Sequence, residues 1–386
     1  MTKNANLHKA RKTKNDEFYT QYKDIEKEIE NYIEYNPDIF KNKTLLLPCD
    51  DPEWSNFTKY FVANFDRFGI KKLISTSYTG SLSSQSILKL KKHSDKSNPT
   101  KHIECGKIFV LDRDVNKSGR VDFSNLQFDY LHGNGDFRSK EVTELRDKSD
   151  IIITNPPFSL FREFIKWIEP TKRHFLVIGN INDAIHKEIF SLIKNSIIWL
   201  GIHNGDMAFR VPDNYPPRKT RYWVDEHNQK WRSLGNIKWF TNLDYGQRHK
   251  DLILYKHYLP NEYPKYDNYD GINVDKTADI PMDYPGVMGV PITFIDKYNP
   301  DQFELLGMAS GRQEFSKKAW PTKRYVNAIQ HKPNGKEVNG ININTSAALR
   351  VDDPKGHTFY TADNLEGKVV MLYTRLLIRN KKVKKG

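Results

Sequence analysis

The residues best suited to chemistry lie in the stretch SDIIITNPPFSLFREFI, residues 149–165. Its three isoleucines predict a strand buried on both faces, and Asn155, Pro156, Pro157 and Phe158 follow directly. Proline has a fixed backbone angle and no N–H group, so the Pro156 carbonyl is a rigidly aimed acceptor. Asn155 adds a side-chain oxygen, and Phe158 adds a flat face. The combination predicts a clamp for a planar exocyclic amine, although Asn-Pro-Pro also forms ordinary turns.

The surrounding elements indicate where this stretch lies. Up to about Tyr215, short apolar segments that predict strands alternate with helical segments. The strand segments are KTLLLPC, KKLISTS, KIFVLD, LQFDYLHG, DIIIT, HFLVIGN and SIIWLG. This alternation predicts an α/β fold with a mostly parallel, doubly wound sheet. Ligands bind such sheets where strand carboxyl ends meet helix N-termini, and Asn155 to Phe158 stand at such a point.

Helical segments and a change of composition set the domain organisation. DIEKEIENYIEYNP and SNFTKYFVANFDRFG predict amphipathic helices, the second of which stops at Gly69. Beyond Tyr215 the chain becomes rich in Tyr, Pro, Asp and Gly and loses its periodicity. We therefore predict two domains, residues 1–215 with the sheet and residues 216–386 as a smaller, irregular region.

The charge of the chain favours a polyanionic partner. The net charge is +13 over 386 residues, and both ends are rich in lysine and arginine. Such ends are attracted to nucleic acid, but basic tails also simply solubilise proteins, so charge alone does not decide the function. A hydrophobic fraction of 38% with 12% aromatic residues describes a soluble globule rather than a disordered chain.

Two features bear on the compartment. The sequence has no apolar run of membrane-spanning length, and its N-terminus is basic and polar, unlike a signal peptide. Cys49 and Cys105 are too few for a disulfide framework or a cysteine zinc site. We expect a cytoplasmic protein with no membrane partner and no bound metal.

Five segments occur in an order that resembles the EcoRI-type adenine-specific DNA methyltransferases. They are DEFYTQYKDIE, CDDPEWSNF, GNGDFRS, TNPPFSLFREFI and FLVIGN. The fourth carries the Asp/Asn/Ser-Pro-Pro-aromatic pattern of amino-methyltransferases that use S-adenosylmethionine. The resemblance covers most of the chain and implies a Rossmann-like class I methyltransferase domain over residues 1–215, followed by a target-recognition, DNA-binding region over residues 216–386. It implies methyl transfer to N6 of an adenine flipped out of double-stranded DNA.

The same resemblance implies contacts to the cofactor in several segments. In related enzymes DEFYTQ covers the cofactor, the acidic loop DDPEWSN holds its amino-acid end, and the Asp of GNGDFRS meets its adenine ring. The candidate cofactor residues are Phe18, Tyr19, Thr20, Asp50, Asp51, Ser55, Asn56, Asp136 and Asn155. A plain loop, an N-cap cluster and a glycine turn are the structural alternatives. No acid closes the strand KKLISTS, where a ribose-binding carboxylate normally stands, so Asp112 is a candidate for that role.

The catalytic candidates are the clamp residues Asn155, Pro156, Pro157 and Phe158. A flipped adenine would stack on Phe158. Phe209 in GIHNGDMAFRVP is a candidate second wall for that base, and a place in the core is an equally good reading of it.

Three alternative functions stay open. The same clamp serves methyltransferases of cytosine N4, of RNA bases and of protein glutamine, and a non-enzymatic DNA-binding protein would share the charge. DNLEGK also loosely resembles a metal-dependent nuclease site through Asp363, Glu366 and Lys368. The expected partners are double-stranded DNA and a cognate restriction endonuclease acting on the same site, and the expected state is a monomer.

Overall fold

The computed structural model describes residues 19–79, 105–113, 127–203, 206–213, 215–309 and 321–383. The chain divides into two compact units. The first consists of residues 1–183 and 197–245, and the second of residues 184–196 and 246–386. The boundary predicted after residue 215 therefore falls inside the first unit.

The described helices are α1 (Tyr22–Tyr35), α2 (Asn56–Ala63), α3 (Lys140–Asp147), α4 (Phe161–Ile168) and α5 (Lys187–Lys194). The strands of the first unit are β1 (Thr44–Leu47), β2 (Lys72–Thr76), β3 (Lys107–Asp112), β4 (Asp129–Tyr130), β5 (Ile151–Thr154), β6 (His174–Asn180), β7 (Trp199–Leu200), β8 (Met207–Arg210), β9 (Tyr222–Val224), β10 (Lys230–Leu234) and β11 (Ile237–Thr241). Those of the second unit are β12 (Ile272–Asn273), β13 (Met288–Pro291), β14 (Phe303–Met308), β15 (Ile329–His331), β16 (Glu337–Asn339), β17 (Ala348–Val351), β18 (Phe359–Ala362), β19 (Leu365–Met371) and β20 (Arg375–Asn380).

The main sheet has eight strands in the order β4-β3-β2-β1-β5-β6-β11-β7. Strands β2, β1, β5 and β6 run parallel in its centre, and the outer strands pair antiparallel. The α/β class is confirmed, but the sheet is mixed rather than mostly parallel. The sequence could not show this, because strand β3, next to the edge strand β4, is an apolar run like the central strands. Only its burial reveals the difference, since Phe109 and Leu111 are buried while Val110 between them is 46% exposed.

Strand β11 lies beyond residue 215 and still belongs to the main sheet. It pairs with β6 along five residues, from Ile237 opposite Asn180 to Thr241 opposite Leu176. All five residues of β11 are buried, including Trp239, which is 0% exposed. The main sheet therefore needs the chain as far as residue 241.

The core beneath the main sheet holds the carboxyl ends of the central strands in place. Strand β5 is fully buried, as its isoleucines predicted. Helix α1 packs Ile25, Ile29 and Tyr32 into the same hydrophobic cluster as β1 and β5. Each fully buried side chain of this size contributes roughly 1.5–3 kcal/mol. Helix α2 also joins this cluster but ends at Ala63, six residues before Gly69, which has a positive φ of 62°.

The first unit contains a second, antiparallel sheet in the order β8-β10-β9. The second unit contains a four-stranded sheet, β12-β13-β20-β14, and a five-stranded sheet, β16-β15-β18-β19-β17. The region predicted as irregular therefore contains two regular sheets. The sequence did not indicate them, because strands of two to seven residues are too short to show a clear period. No helix among the described residues is both long and apolar enough to cross a membrane.

Candidate active site

Two loops meet at the carboxyl edge of the main sheet. Strands β1 and β5 are parallel neighbours, with Leu45 opposite Ile151 and Leu46 opposite Ile152. The acidic loop after β1 and the Asn-Pro-Pro-Phe loop after β5 therefore leave the sheet side by side. The backbone N–H of Cys49 donates to Thr154 Oγ1 at 3.2 Å, which joins the two loops directly.

Asp50 lies buried between these loops, with 5% of its surface exposed. Its Oδ1 accepts the Ser55 hydroxyl at 2.7 Å, and its Oδ2 accepts the Thr154 hydroxyl at 2.5 Å. The backbone N–H of Asn155 also donates to this carboxylate. Burial raises the pKa of Asp50 to about 7, against the opposing effect of the two hydroxyls. Because Asp50 is buried and its two oxygens accept hydrogen bonds from both loops, it is better placed to hold the loops than to bind a cofactor ammonium.

Ser55 and Asn56 begin helix α2. Ser55 is the N-cap, since its Oγ accepts the N–H of Phe57 at 3.1 Å. Asn56 donates from Nδ2 to the carbonyl oxygen of Thr20 at 2.8 Å. The N-cap alternative thus describes Ser55, and Asn56 ties the helix to the segment before α1.

Asn155 joins this arrangement from the other loop. Its Nδ2 donates to Thr20 Oγ1 at 3.2 Å, and its Oδ1 is buried from solvent. Thr20 is only 5% exposed. The structure therefore brings Thr20, Asn56 and Asn155 together, although they are far apart in sequence.

Tyr19 completes the segment before α1. Its backbone exchanges hydrogen bonds with Arg210 at 2.9 and 3.3 Å, so this segment is fastened to β8. The Tyr19 ring contacts Trp54 edge to face, with centroids 4.7 Å apart. Trp54 is 46% exposed and offers an open aromatic surface at the acidic loop. Phe18, the remaining candidate of this segment, lies outside the described residues.

The proline pair shapes the turn into α4. The Pro157 carbonyl accepts the N–H of Leu160 at 2.9 Å and so begins a short 3-10 turn. Pro156, which is buried, stands one residue ahead of that turn. Phe158 is half-buried, and its ring lies edge to face with Phe209 at 6.4 Å between centroids.

Phe209 occupies a different place from the one expected of a second wall. It is 0% exposed and belongs to the hydrophobic core. Burial alternates along β8, so Phe209 faces the core while its neighbours Ala208 and Arg210 do not. Its ring therefore supports Phe158 and presents no open face to a base in this structure.

Two further candidate acids are engaged in ion pairs. Asp51 Oδ2 lies 3.3 Å from Lys107 Nζ, and Glu53 pairs with the same lysine. Burial lowers the pKa of Lys107, but these two carboxylates outweigh it, and the pKa is raised. Asp136 accepts two side-chain hydrogen bonds from Arg138, at 2.9 and 2.7 Å. Both acids stay partly open to solvent.

Glycine is required where the Asp136 loop meets the sheet. Gly135 has a φ of 77°, and a Cβ there would lie 2.0 Å from the carbonyl oxygen of Ser77, which follows β2. No residue with a side chain fits this approach. The loop that carries Asp136 is thereby held against the carboxyl end of β2.

Asp112 is not part of this site. Strand β3 runs antiparallel to β2, so Asp112 lies opposite Lys72, the first residue of β2, and pairs with it at 2.6 Å. Asp112 therefore lies at the amino end of β2, away from the carboxyl ends where the site is. The prediction of Asp112 as a ribose-binding acid is wrong.

Sequence reasoning missed three residues of the site, namely Thr154, Trp54 and Lys107. Thr154 had a usable signal, because a hydroxyl residue closes an otherwise apolar strand just before Asn155. Trp54 stood in the quoted acidic loop without being singled out. Lys107 had no signal, since it approaches Asp51 only through the pairing of β3 with β2.

The nuclease reading gains no support. Lys368 stacks over the Phe359 ring at 5.1 Å, and Asp363 accepts Asn327 Nδ2 at 2.6 Å. Over the described ranges, no group of three or more His, Cys, Asp or Glu side chains is arranged to hold a metal ion.

Comparison with known proteins decides the family. The family described as "Adenine-specific methyltransferase EcoRI" matches residues 6–381. The chain belongs to this family. It is 47% identical to the Type II methyltransferase M.EcoRI of Escherichia coli over 321 residues, which is 81% of this chain and 93% of that protein. It is 35% identical to M.MpnI of Mycoplasma pneumoniae, over 78% of this chain and 84% of that one. No solved structure matches significantly.

Membership narrows the chemistry of the site. This EcoRI-type adenine-specific methyltransferase is an enzyme that transfers a methyl group to adenine, which requires a methyl donor and favours adenine over the other amines considered. The mixed α/β fold with parallel central strands is consistent with a methyltransferase.

Proposed function

We propose that this enzyme transfers a methyl group from S-adenosylmethionine to N6 of an adenine flipped out of double-stranded DNA, as part of a restriction-modification system. The observation that carries the proposal is the joint at Asp50. This one buried carboxylate binds Ser55 of the acidic loop and both Thr154 and Asn155 of the Asn-Pro-Pro-Phe loop. A methyl donor held by the first loop would therefore lie beside an amine held by the second.

The residues around the acidic loop fit S-adenosylmethionine. Asp51 is a partly open carboxylate suited to an ammonium group, and Trp54 with Tyr19 offers aromatic surface for a purine. Asp136 and Asn56 supply further polar groups, and Asp50 holds the loop without touching the cofactor. When bound, S-adenosylmethionine supplies an electrophilic methyl group on a sulfonium sulfur.

The clamp residues act on the adenine amine. The N6 lone pair is delocalised into the ring, which makes the amine a poor nucleophile. Asn155 Oδ1 and the Pro156 carbonyl would accept its two N–H groups and favour a more pyramidal nitrogen. Thr20 and the Asn155 backbone contact to Asp50 fix the direction of the amide. Positioning of this kind supplies much of the rate in a direct, in-line transfer.

The base itself is held by stacking. An amine inside a duplex cannot reach the clamp, so the adenine must leave the helix. Phe158 is half-buried and supported from below by Phe209, which leaves its ring suited to stack on the flipped base.

Other parts of the proposal rest on family membership and charge. We assign the main sheet to a Rossmann-like class I methyltransferase domain and target recognition to residues within 216–386. The net charge of +13 suits a DNA substrate. We further propose a monomer, a cognate restriction endonuclease acting on the same site, and a place in the cytoplasm, where the enzyme would reach the chromosome.

The direct test is transfer of a tritiated methyl group from S-adenosylmethionine to genomic DNA from a host without adenine methylation. Digestion to nucleosides and mass spectrometry should find N6-methyladenine with the wild type and far less of it with Asn155→Ala in the same reaction time. Label in cytosine instead of adenine, or no transfer at all, would contradict the proposal.

A further inference from the structure

The small sheet of the first unit carries a surface that methyl transfer leaves unexplained. We call residues 215–234 the aromatic-basic hairpin; it contains β9 and β10 and pairs with β8. Arg232 of β10 lies opposite Phe209 of β8, and Phe209 packs against Phe158. The hairpin is therefore built on the same strand that supports the residue proposed to stack on the target base.

Two tryptophans form a platform on this hairpin. Trp223 and Trp231 are cross-strand partners, and their rings stack with planes 6° apart and centroids at 6.1 Å. Trp231 is half-buried, and its indole N–H donates to Asp225 at 2.8 Å, which fixes the ring. Trp223 lies on the edge strand and is 41% exposed. A rigid aromatic face open to solvent is the kind of surface on which nucleobases stack.

The hairpin is also strongly basic. Residues 215–234 contain five basic and two acidic side chains. Two of the basic residues hold the hairpin together, since Arg232 donates to the Thr220 carbonyl and Lys230 to the Tyr215 carbonyl. The other three are exposed, namely Arg218, Lys219 and Arg221. Of these, Arg221 pairs with Asp206 at 3.4 Å.

We propose that the aromatic-basic hairpin contacts double-stranded DNA beside the target adenine, with the Trp223 ring against a base or sugar and Arg218 and Lys219 on phosphates. The inference rests on the proposed DNA substrate and assigns part of the surface that holds it. Charge complementarity favours a polyanion over a protein partner. Removal of one base from the stack also opens neighbouring base faces to an aromatic ring.

The charged part of the hairpin is tested by the salt dependence of binding. A short DNA duplex would be titrated with protein loaded with S-adenosylhomocysteine, at several salt concentrations. Arg218→Ala combined with Lys219→Ala should reduce the slope of log K against log salt by about 2, since each phosphate contact contributes about 0.9. The control variant combines Lys41→Ala, before β1, with Lys140→Ala, on α3. It removes the same charge from exposed sites and should leave the slope unchanged.

The aromatic part is tested by kinetics. Trp223→Ala should lower kcat/KM for DNA methylation by about 5- to 150-fold, mainly through KM for DNA, while Trp223→Phe retains part of it. Affinity for S-adenosylhomocysteine and thermal stability should stay the same, as they should in the control Tyr35→Ala, another exposed aromatic. If Trp223→Ala proves unstable, the salt dependence of DNA binding by the variant that combines Arg218→Ala with Lys219→Ala decides whether the hairpin contacts DNA.

The outcomes separate this inference from the proposed function. A wild type that methylates DNA, together with unchanged slope and kcat/KM in the hairpin variants, would overturn the hairpin as a DNA surface and leave the function standing. A wild type that methylates no DNA would overturn both.

Discussion

The loop after β1 and the loop after β5 leave neighbouring strands but are held in different ways. The first is fixed by side-chain hydrogen bonds, with Asp50 accepting from Ser55 and Ser55 capping α2. The second is fixed by two proline rings and by the packing of Phe158 on Phe209. Hydrogen bonds to a buried carboxylate depend on its protonation, whereas proline geometry does not. The cofactor side of the site should therefore respond to pH more strongly than the proline-fixed part of the amine clamp.

The two loops are nevertheless joined at one point. Thr154 and the backbone N–H of Asn155 both donate to Asp50, so the position of the clamp depends on this residue of the acidic loop. A change within either loop should affect its own task first, while a change at Asp50 should affect both.

The largest effect should come from the clamp. Asn155→Ala removes an acceptor proposed to act on the amine, and we expect kcat to fall by at least about 10²- to 10³-fold, the cost typical of deleting one directed hydrogen bond in an active site. Binding of S-adenosylhomocysteine, measured by calorimetry, and of DNA should change little. Near-normal turnover would remove Asn155 from the mechanism.

Thr20 offers a graded control for that experiment. Thr20→Val removes only the hydroxyl that accepts Asn155 Nδ2, and Thr20→Ser keeps it. If Thr20 orients the amide, Val should reduce kcat by less than Asn155→Ala does, and Ser should restore it. Equal loss with Val and Ser would indicate a packing role alone.

Phe158 should show the next largest effect. Loss of its ring should cost about 1–3 kcal/mol of stacking on the flipped base. In a duplex with 2-aminopurine at the target adenine, Phe158→Ala should reduce the fluorescence rise that reports flipping, and Phe158→Tyr should keep part of it. Because the ring also packs on Phe209, thermal stability must be measured in parallel. Unchanged flipping in a less stable variant would assign Phe158 to the core.

The sequence predicted the local features of the site but not the contacts between its loops. The strand of three isoleucines and the loop after it could be predicted, because proline chemistry and apolar runs act locally. The hydrogen bonds that join the two loops at Asp50 could not be predicted, because they depend on the register of β1 against β5, and the sequence does not reveal that register. The burial of Phe209 in the core could not be predicted either, because the direction of its side chain depends on which face of β8 the core covers. The antiparallel edges escaped detection because parallel and antiparallel strands have similar composition when both are apolar.

Asp51 should show a smaller effect on the cofactor side alone. If its carboxylate takes the ammonium group, Asp51→Asn should weaken binding of S-adenosylhomocysteine by about tenfold, within the range for hydrogen bonds to charged groups. Asp112→Asn is the matched control, since Asp112 also pairs with a lysine but at the opposite edge of the sheet. Equal affinity for both variants in calorimetry would take Asp51 out of the site.

The smallest effect concerns the pH dependence of stability at Asp50. Burial raises the pKa of this carboxyl from 3.8 to about 7, so between these values the folded state binds one more proton than the unfolded state. Stability should therefore fall as the pH rises toward 7 and level off above it. Between about pH 6 and pH 8 the wild type should lose about 1 kcal/mol more than Asp50→Asn, a few degrees in thermal melting.

Asp51→Asn separates this effect from a general loss of acidic charge. Because the charge of Asp51 adds to the rise in the pKa of Asp50, Asp51→Asn should keep the fall in stability and shift it to lower pH, whereas Asp50→Asn should abolish it. Asp183, whose pKa burial raises to about 6, is present in all three proteins and cancels in the comparison. If Asp50→Asn and the wild type melt in parallel across this range, the carboxylate is not titrating between the loops. The contrast between a pH-sensitive acidic loop and a proline-fixed clamp would then fail, because hydrogen bonding at Asp50 would be as insensitive to protonation as the proline geometry.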